Sequence, residues 1–205
     1  MKRLSLILVL TLCALTGAGA QTYERLTEAE QNLFGKEVYV SGDYETMKAV
    51  HRYWTQESIR LKNRNYEFAQ LGVNDGVLKV TVPSRLLFQQ DDSLLTVQAD
   101  GVLRPFLRLV RGDEALARVV VECHSDNNGS EKYLSHMTSG RARAIATWLR
   151  KQGVQPQQIS SYGIGNKVSR TDNASMAARE RNRRVTLYFV PNKRMLKMAK
   201  KGKLG

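Results

Sequence analysis

The apolar positions of this chain change period several times, and the changes mark out its elements. Residues 4–15 form an almost unbroken apolar run, too short to cross a bilayer comfortably. Residues 21–42 have no strong period. From Asp43, which can cap a helix, Met47, Val50, Trp54 and Leu61 fall near one face, so a helix is expected to run to about residue 70. Its aromatic content, Tyr53, Trp54, Tyr66 and Phe68, reads as a surface that packs against the domain C-terminal to it. Asn74-Asp75-Gly76 is then a tight-turn signal between two short apolar runs.

Beyond the turn the pattern is cleaner. Residues 77–82 alternate as a strand, with Leu78, Val80 and Val82 on one side, until Pro83. Residues 94–110 carry Leu103, Phe106, Leu107 and Val110 at helical spacing. Residues 118–122 are a β-branched run, hence a buried strand, and residues 132–151 are a helix that Gly153 stops. A short strand is expected at residues 159–162, and a helix at 174–183 after the capping cluster Thr171-Asp172-Asn173. Val185, Leu187 and Phe189 alternate in a last strand closed by Pro191. Strands alternating with helices imply an α+β fold, helices packed on one mixed sheet.

The first twenty residues bear on the compartment. Lys2 and Arg3 precede the apolar run, and Ala18-Gly19-Ala20 follows it as a small-residue cleavage site, the layout of a secretory signal peptide. A retained anchor is disfavoured by length. A lipoprotein is disfavoured because Leu12, not a small residue, precedes Cys13. Residues 1–20 are therefore expected to be removed and the protein exported. No later segment approaches the ~20 apolar residues of a membrane-spanning helix. After cleavage Cys123 is the one remaining cysteine, and a lone thiol in an oxidising compartment is usually buried.

The formal charge of +13 is uneven. Residues 21–75 carry seven Lys and Arg against nine Asp and Glu, whereas residues 76–205 carry twenty-three against ten. Six of those bases lie between Lys193 and Lys203 with no acid among them. Such a field suits a polyanion: nucleic acid, anionic lipid or acidic wall polymer. Export argues against nucleic acid, and a plain solvated, disordered tail is the competing reading.

The stretch from Val121 to Ile145 is the most informative. A hydrophobic strand ends in Cys123-His124-Ser125-Asp126, and the turn Asn127-Asn128-Gly129-Ser130 leads into the long helix. Loops at the end of a buried strand are where scaffolds present their chemistry. On that helix Leu134, Met137, Ile145 and Trp148 all lie within about 40° of Arg141, while Lys132, Arg143 and Arg150 point away. An arginine in the middle of an apolar stripe needs a carboxylate or several acceptors. The nearest candidate is Asp126, at the start of the same strand-loop-helix unit. The two form a structural ion pair, or they stand apart and clamp a zwitterion, Asp126 taking an ammonium and Arg141 a carboxylate through its bidentate fork.

Four blocks in register also resemble a known family: Val82-Pro83-Ser84-Arg85-Leu86-Leu87-Phe88; His124-Ser125-Asp126-Asn127-Asn128-Gly129; Arg141-Ala142 with Gly153-Val154 after it; and Asn182-Arg183-Arg184-Val185. Together they resemble the OmpA-like domain found in OmpA C-terminal domains, the peptidoglycan-associated lipoprotein and flagellar stator proteins. The resemblance implies a two-layer domain that binds peptidoglycan through the diaminopimelate of its stem peptide, with Asp126 and Arg141 as the principal pair. It further implies that Arg183 contacts ligand or orders the loop, that Asn128 and Gly129 offer backbone amides, and that the stretch after Phe88 forms the opposite wall. The sequence departs from the family at Cys123 and Ala178, where Gly is usual, and at Ser125 for Thr. Leu134 stands in place of the usual Asn, and Met137-Thr138 in place of Leu-Ser.

Other chemistries find little support. His51, His124 and His136 lack metal-ligand spacing, and no metal or cofactor is expected. His124 reads as a structural residue at a strand end. Cys123 and His124 are adjacent on a strand and so face opposite ways. Gly163-Ile164-Gly165 is too short for a phosphate loop and lacks its Lys-Ser/Thr ending. Only one acid is well placed for a paired-carboxylate hydrolase. The expectation is a binding module, not an enzyme, in the periplasm or at the outer membrane or wall. Its parts are a signal peptide (1–20), a helical N-terminal extension (21–70), an OmpA-like domain (71–191) and a basic tail (192–205). The extension would engage an outer-membrane protein, a component of an envelope machine, or a second copy of the chain. The rival reading is a polyanion-binding envelope protein whose OmpA-like site is degenerate.

Overall fold

In the computed structural model, residues 22–62, 65–71 and 76–204 are described. The expected signal peptide, and Asn74 and Asp75 of the turn, lie outside them. Six strands form one mixed sheet in the order β1-β2-β3-β6-β4-β5. They are β1 (Thr22–Glu24), β2 (Glu67–Leu71), β3 (Val77–Pro83), β4 (Ala117–His124), β5 (Ile159–Gly165) and β6 (Arg184–Pro191). β1 runs parallel to β2 and β4 parallel to β5; the other pairings are antiparallel. The helices are α1 (Glu28–Phe34), α2 (Tyr44–Arg60), α3 (Ala99–Leu103), α4 (Leu107–Val110), α5 (Glu131–Lys151), α6 (Met176–Asn182) and α7 (Lys193–Lys200).

Strand alternation sends side chains to two separate cores. Leu78, Val80 and Val82 of β3, Val119, Val121 and Cys123 of β4, and Val185, Leu187 and Phe189 of β6 pack with residues of α2, α3, α4, α5 and α7. The intervening positions Val77, Val120, Tyr188 and Val190 pack on the other face against Phe34, Val38, Val40 and Met47. The N-terminal segment thus covers the back of the sheet and also supplies β1 and β2 to its edge.

Several elements differ from the sequence expectation for identifiable reasons. α2 is capped by Asp43, whose side chain accepts from Thr46 N, but it ends at Arg60. Residues 67–70, expected to be helical, instead lie in β2, which pairs with β3 from Glu67↔Thr81 to Leu71↔Val77, and this pairing overrides the local helical reading. Residues 94–110 do not form one helix, because Arg104–Phe106 is a 3-10 turn around Pro105 between α3 and α4; proline lacks the amide a continuous helix needs. α6 starts later than expected: Asn173 is left-handed at φ 63°, and Ser175 is the cap, accepting from Ala178 N. Residues 21–42, which showed no period, hold α1, closed by a reciprocal Thr27–Glu30 capping box. The basic tail is not a disordered segment. Asn192 caps α7, and Met195 and Ala199 are buried where α7 packs against α2.

Among the described residues no helix is long and apolar enough to cross a membrane.

Candidate functional site

β4 delivers the site. Its last residue is His124, and Ser125 is held beside β5 by its amide, which donates to Gly165 O at 2.9 Å. Asp126 follows, then a turn in which Gly129 adopts φ 136°. A side chain there would crowd Tyr133 and Leu134, so the turn favours glycine. Ser130 caps α5 by accepting from Tyr133 N. At the other end Gly153, at φ 88°, donates to Arg150 O while Val154 donates to Leu149 O, a Schellman stop.

On α5 the buried stripe runs through Leu134, Thr138, Arg141, Ala142, Ile145, Ala146 and Leu149, while Lys132, Arg143 and Arg150 are exposed. Arg141 is 5% exposed. Its Nε donates to Asp92 O at 2.7 Å and its Nη2 to Gln89 O at 3.2 Å. The guanidinium carbon lies 5.1 Å from the centroid of the Phe88 ring. Burial lowers the pKa of Arg141 from its ordinary value, and the neighbouring Cys123 and Asp91 oppose that shift. The two hydrogen bonds use two of the five guanidinium N–H groups, so the fork keeps donors for a ligand.

Asp126 is 4% exposed. Its partner is Arg183, not Arg141: Arg183 Nε and Nη2 both reach Asp126 Oδ2 at 2.7 Å. Arg183 Nη1 also bonds Glu180 at 2.9 Å. The second oxygen, Oδ1, accepts only a longer bond from Asn128 N at 3.2 Å. The Asn128 amide, expected to be offered to a ligand, is thus turned onto Asp126.

Asp126, Asn128, Arg141 and Arg183 nonetheless line one pocket of about 170 Å³. Gly129 shapes the turn and is not among the residues lining it. The stretch after Phe88 also lines the pocket, through Gln89, Gln90 and Asp91. Arg141 fastens this stretch through its main-chain carbonyls, and Asp91 holds φ 52° within it. Leu134 and Met137, the departures from the family pattern, form an apolar patch of the same lining. Tyr133 and Glu180 were not singled out by sequence, and Arg85 stood only within a motif block; the structure brings all three to the same lining. No periodic signal marks them, because each lies on a different element. Asn182, which opens the last of the four motif blocks, is buried and orders the preceding loop: its Oδ1 accepts from Arg170 N at 2.7 Å and from Thr171 N at 3.1 Å.

Cys123 is free and fully buried. Burial pushes its thiol far above the usual range, which makes it a poor nucleophile.

Comparison with known proteins bears on the family and the fold. The OmpA family model matches residues 87–183. The outer-membrane lipoprotein YfiB of Pseudomonas aeruginosa is 25% identical over 132 residues, 64% of this chain and 71% of that one. The peptidoglycan-associated lipoprotein of the same organism is 32% identical over 125 residues, 58% of this chain and 72% of that one. A MotB-like protein of Desulfovibrio vulgaris shares the fold with a TM-score of 0.54 at 20% identity, covering 79% of this chain and 99% of that structure.

Proposed function

Since the chain belongs to the OmpA family, we propose that it is a non-enzymatic module that binds peptidoglycan and tethers an exported envelope protein to the cell wall. The observation that carries this reading is the separation of Asp126 and Arg141. Both line one pocket, and each is held by other groups: Asp126 by Arg183, and Arg141 by two main-chain carbonyls. A buried arginine and carboxylate that served only stability would be expected to pair with each other. Here they leave a gap with a negative end and a positive end. Asp126 Oδ1 is available to an ammonium and the remaining Arg141 donors to a carboxylate. The zwitterionic end of diaminopimelate, which the family resemblance implies as ligand, presents both groups. Glu180 bonds Arg183 beside Asp126, and Asp91 and Arg85 line the same pocket.

Co-sedimentation of the purified protein with sacculi tests the assignment. Asp126→Ala and Arg141→Lys are expected to abolish or greatly weaken binding while circular dichroism stays native. The lysine keeps the charge at Arg141 and removes the fork. Undiminished sedimentation of both folded variants would reject the site. Salt titration separates the polyanion reading. A clamp of two fixed contacts keeps binding as salt rises, whereas a polyelectrolyte contact through Lys193 to Lys203 would weaken steeply.

A further inference from the structure

On the face of the sheet opposite the pocket, a polar cluster sits within the second core. Glu122 and His124 are two residues apart on β4 and so project to the same face. Tyr188 of β6 joins them, and Glu30 reaches in from α1. Glu30 is 4% exposed and the other three are fully buried. The Tyr188 hydroxyl lies 3.1 Å from Glu122 Oε2 and 3.4 Å from Glu30 Oε1, and its single proton can serve only one of them at a time. His124 Nε2 is 2.9 Å from Glu122 Oε2 and its ring also meets the Val168 backbone, yet among the described residues neither ring nitrogen nor Glu122 Oε1 makes a well-aligned hydrogen bond. Orphaned polar atoms at this depth are rare and call for an explanation.

Glu30 is also pre-aimed. Its Oε2 is fixed in the capping box by Thr27 N at 2.7 Å and Thr27 Oγ1 at 2.8 Å, while its Oε1 is the atom near Tyr188. One ligand atom from each of Glu30, Glu122 and His124 lies within 4.8 Å of the other two. We propose that Glu30, Glu122 and His124 form a binding site for a first-row divalent cation of the zinc type, which fastens the N-terminal segment to the back of the sheet.

The donor set selects the cation class. One imidazole nitrogen and two carboxylate oxygens are zinc-type ligands. Calcium and magnesium demand six or more oxygens or retained waters, which an apolar core does not supply. The Tyr188 hydroxyl stands at the edge of the site. Two positive groups oppose a cation and limit its affinity. Arg184 directs its hydrogen bonds to Val168 O and Asn182 O, and the Lys79 ammonium lies 5.9 Å from the centroid of the Tyr188 ring. The site is independent of wall binding, because none of its ligands lines the pocket.

Zinc titration of the chelator-treated protein by calorimetry is the test. One equivalent is expected to bind, and the thermal midpoint should rise with zinc. Glu30→Gln and His124→Asn should each weaken binding by at least about tenfold. Glu30→Gln lies outside the segment matched to the family and leaves the sheet residues unaltered. Should a variant fail to fold, ¹¹³Cd NMR of the unsubstituted protein reads the donors directly, and a mixed nitrogen and oxygen shift is expected. Absence of stoichiometric binding, equal affinity in the folded variants, loss of binding on replacing His51 or His136 instead, or an all-oxygen cadmium shift would each overturn the proposal.

Discussion

Arg183 directs the carboxylate at the centre of the pocket. It donates from Nε and Nη2 to Oδ2 of Asp126 and leaves Oδ1 with the longer bond from Asn128 N. On the proposed reading its role is to position, and Glu180 bonds it on its far side. Arg183→Gln should lower sacculus affinity less than Asp126→Ala does, because the carboxylate remains but loses its orientation. The same change strips a buried anion of its partner, so urea unfolding should show a loss of about 1–3 kcal/mol. A variant with native stability and native affinity would show that Arg183 is a bystander. Leu134 acts in the opposite sense. It is buried at the pocket wall, so it offers a ligand contact area and no hydrogen bond.

At the scale of elements, the approach of α5 to β5 sets the geometry of the site, since α5 carries Arg141 and β5 anchors Ser125. Gly163 makes that approach possible: a Cβ there would lie 2.2 Å from Ser139 N and 2.5 Å from Ser139 Cα. Backbone cannot yield as a side-chain tip can, so Gly163→Ala should cost about 1–3 kcal/mol or more through overpacking and should displace α5. A lowered urea midpoint together with weaker sacculus binding is the expected readout, and an unchanged midpoint would contradict it. The Gly163-Ile164-Gly165 stretch stands out in the sequence, but its purpose is not legible there, because close approach between distant segments leaves no local period. β3, β4, β6 and α5 were legible for the converse reason: each is long enough to show its own pattern, α5 through one buried stripe and the strands through runs of β-branched and apolar residues buried on both faces. α1 spans seven residues, too few for a period, although Thr27 and Glu30 spell its cap. β2 was hidden because its strand character comes from pairing with β3. The residues of the proposed clamp were suggested by the odd placement of Arg141, whereas the Asp126–Arg183 pair joins positions 57 residues apart and no spacing rule reaches that far.

For the whole molecule, the sheet is covered on both faces by different parts of the chain. The family-matched segment, residues 87–183, supplies the pocket and most of one core, while the segment before β2 roofs the other. Phe34 illustrates the dependence: it is 2% exposed and its ring lies 5.4 Å from that of Tyr162 and 5.5 Å from that of Tyr188. Removing residues 21–42 would uncover Val77, Val120, Tyr188 and Val190, all fully or almost fully buried. Loss of the buried Phe34, Val38 and Val40 alone amounts to roughly 5 kcal/mol at about 1.5–3 kcal/mol per apolar side chain, a large part of the stability of an ordinary domain. The truncated protein should unfold at markedly lower urea, with a smaller denaturant slope because less surface is exposed on unfolding, and should bind a hydrophobic dye through the uncovered face. Its pocket residues all lie beyond the cut, so the fraction that remains folded should still sediment with sacculi in an Asp126-dependent way. A truncated protein as stable as the full chain would mean that the back face needs no roof, and would leave the N-terminal segment free to leave the sheet for a partner. A stable loss of sacculus binding would instead place part of the wall contact in the N-terminal segment itself.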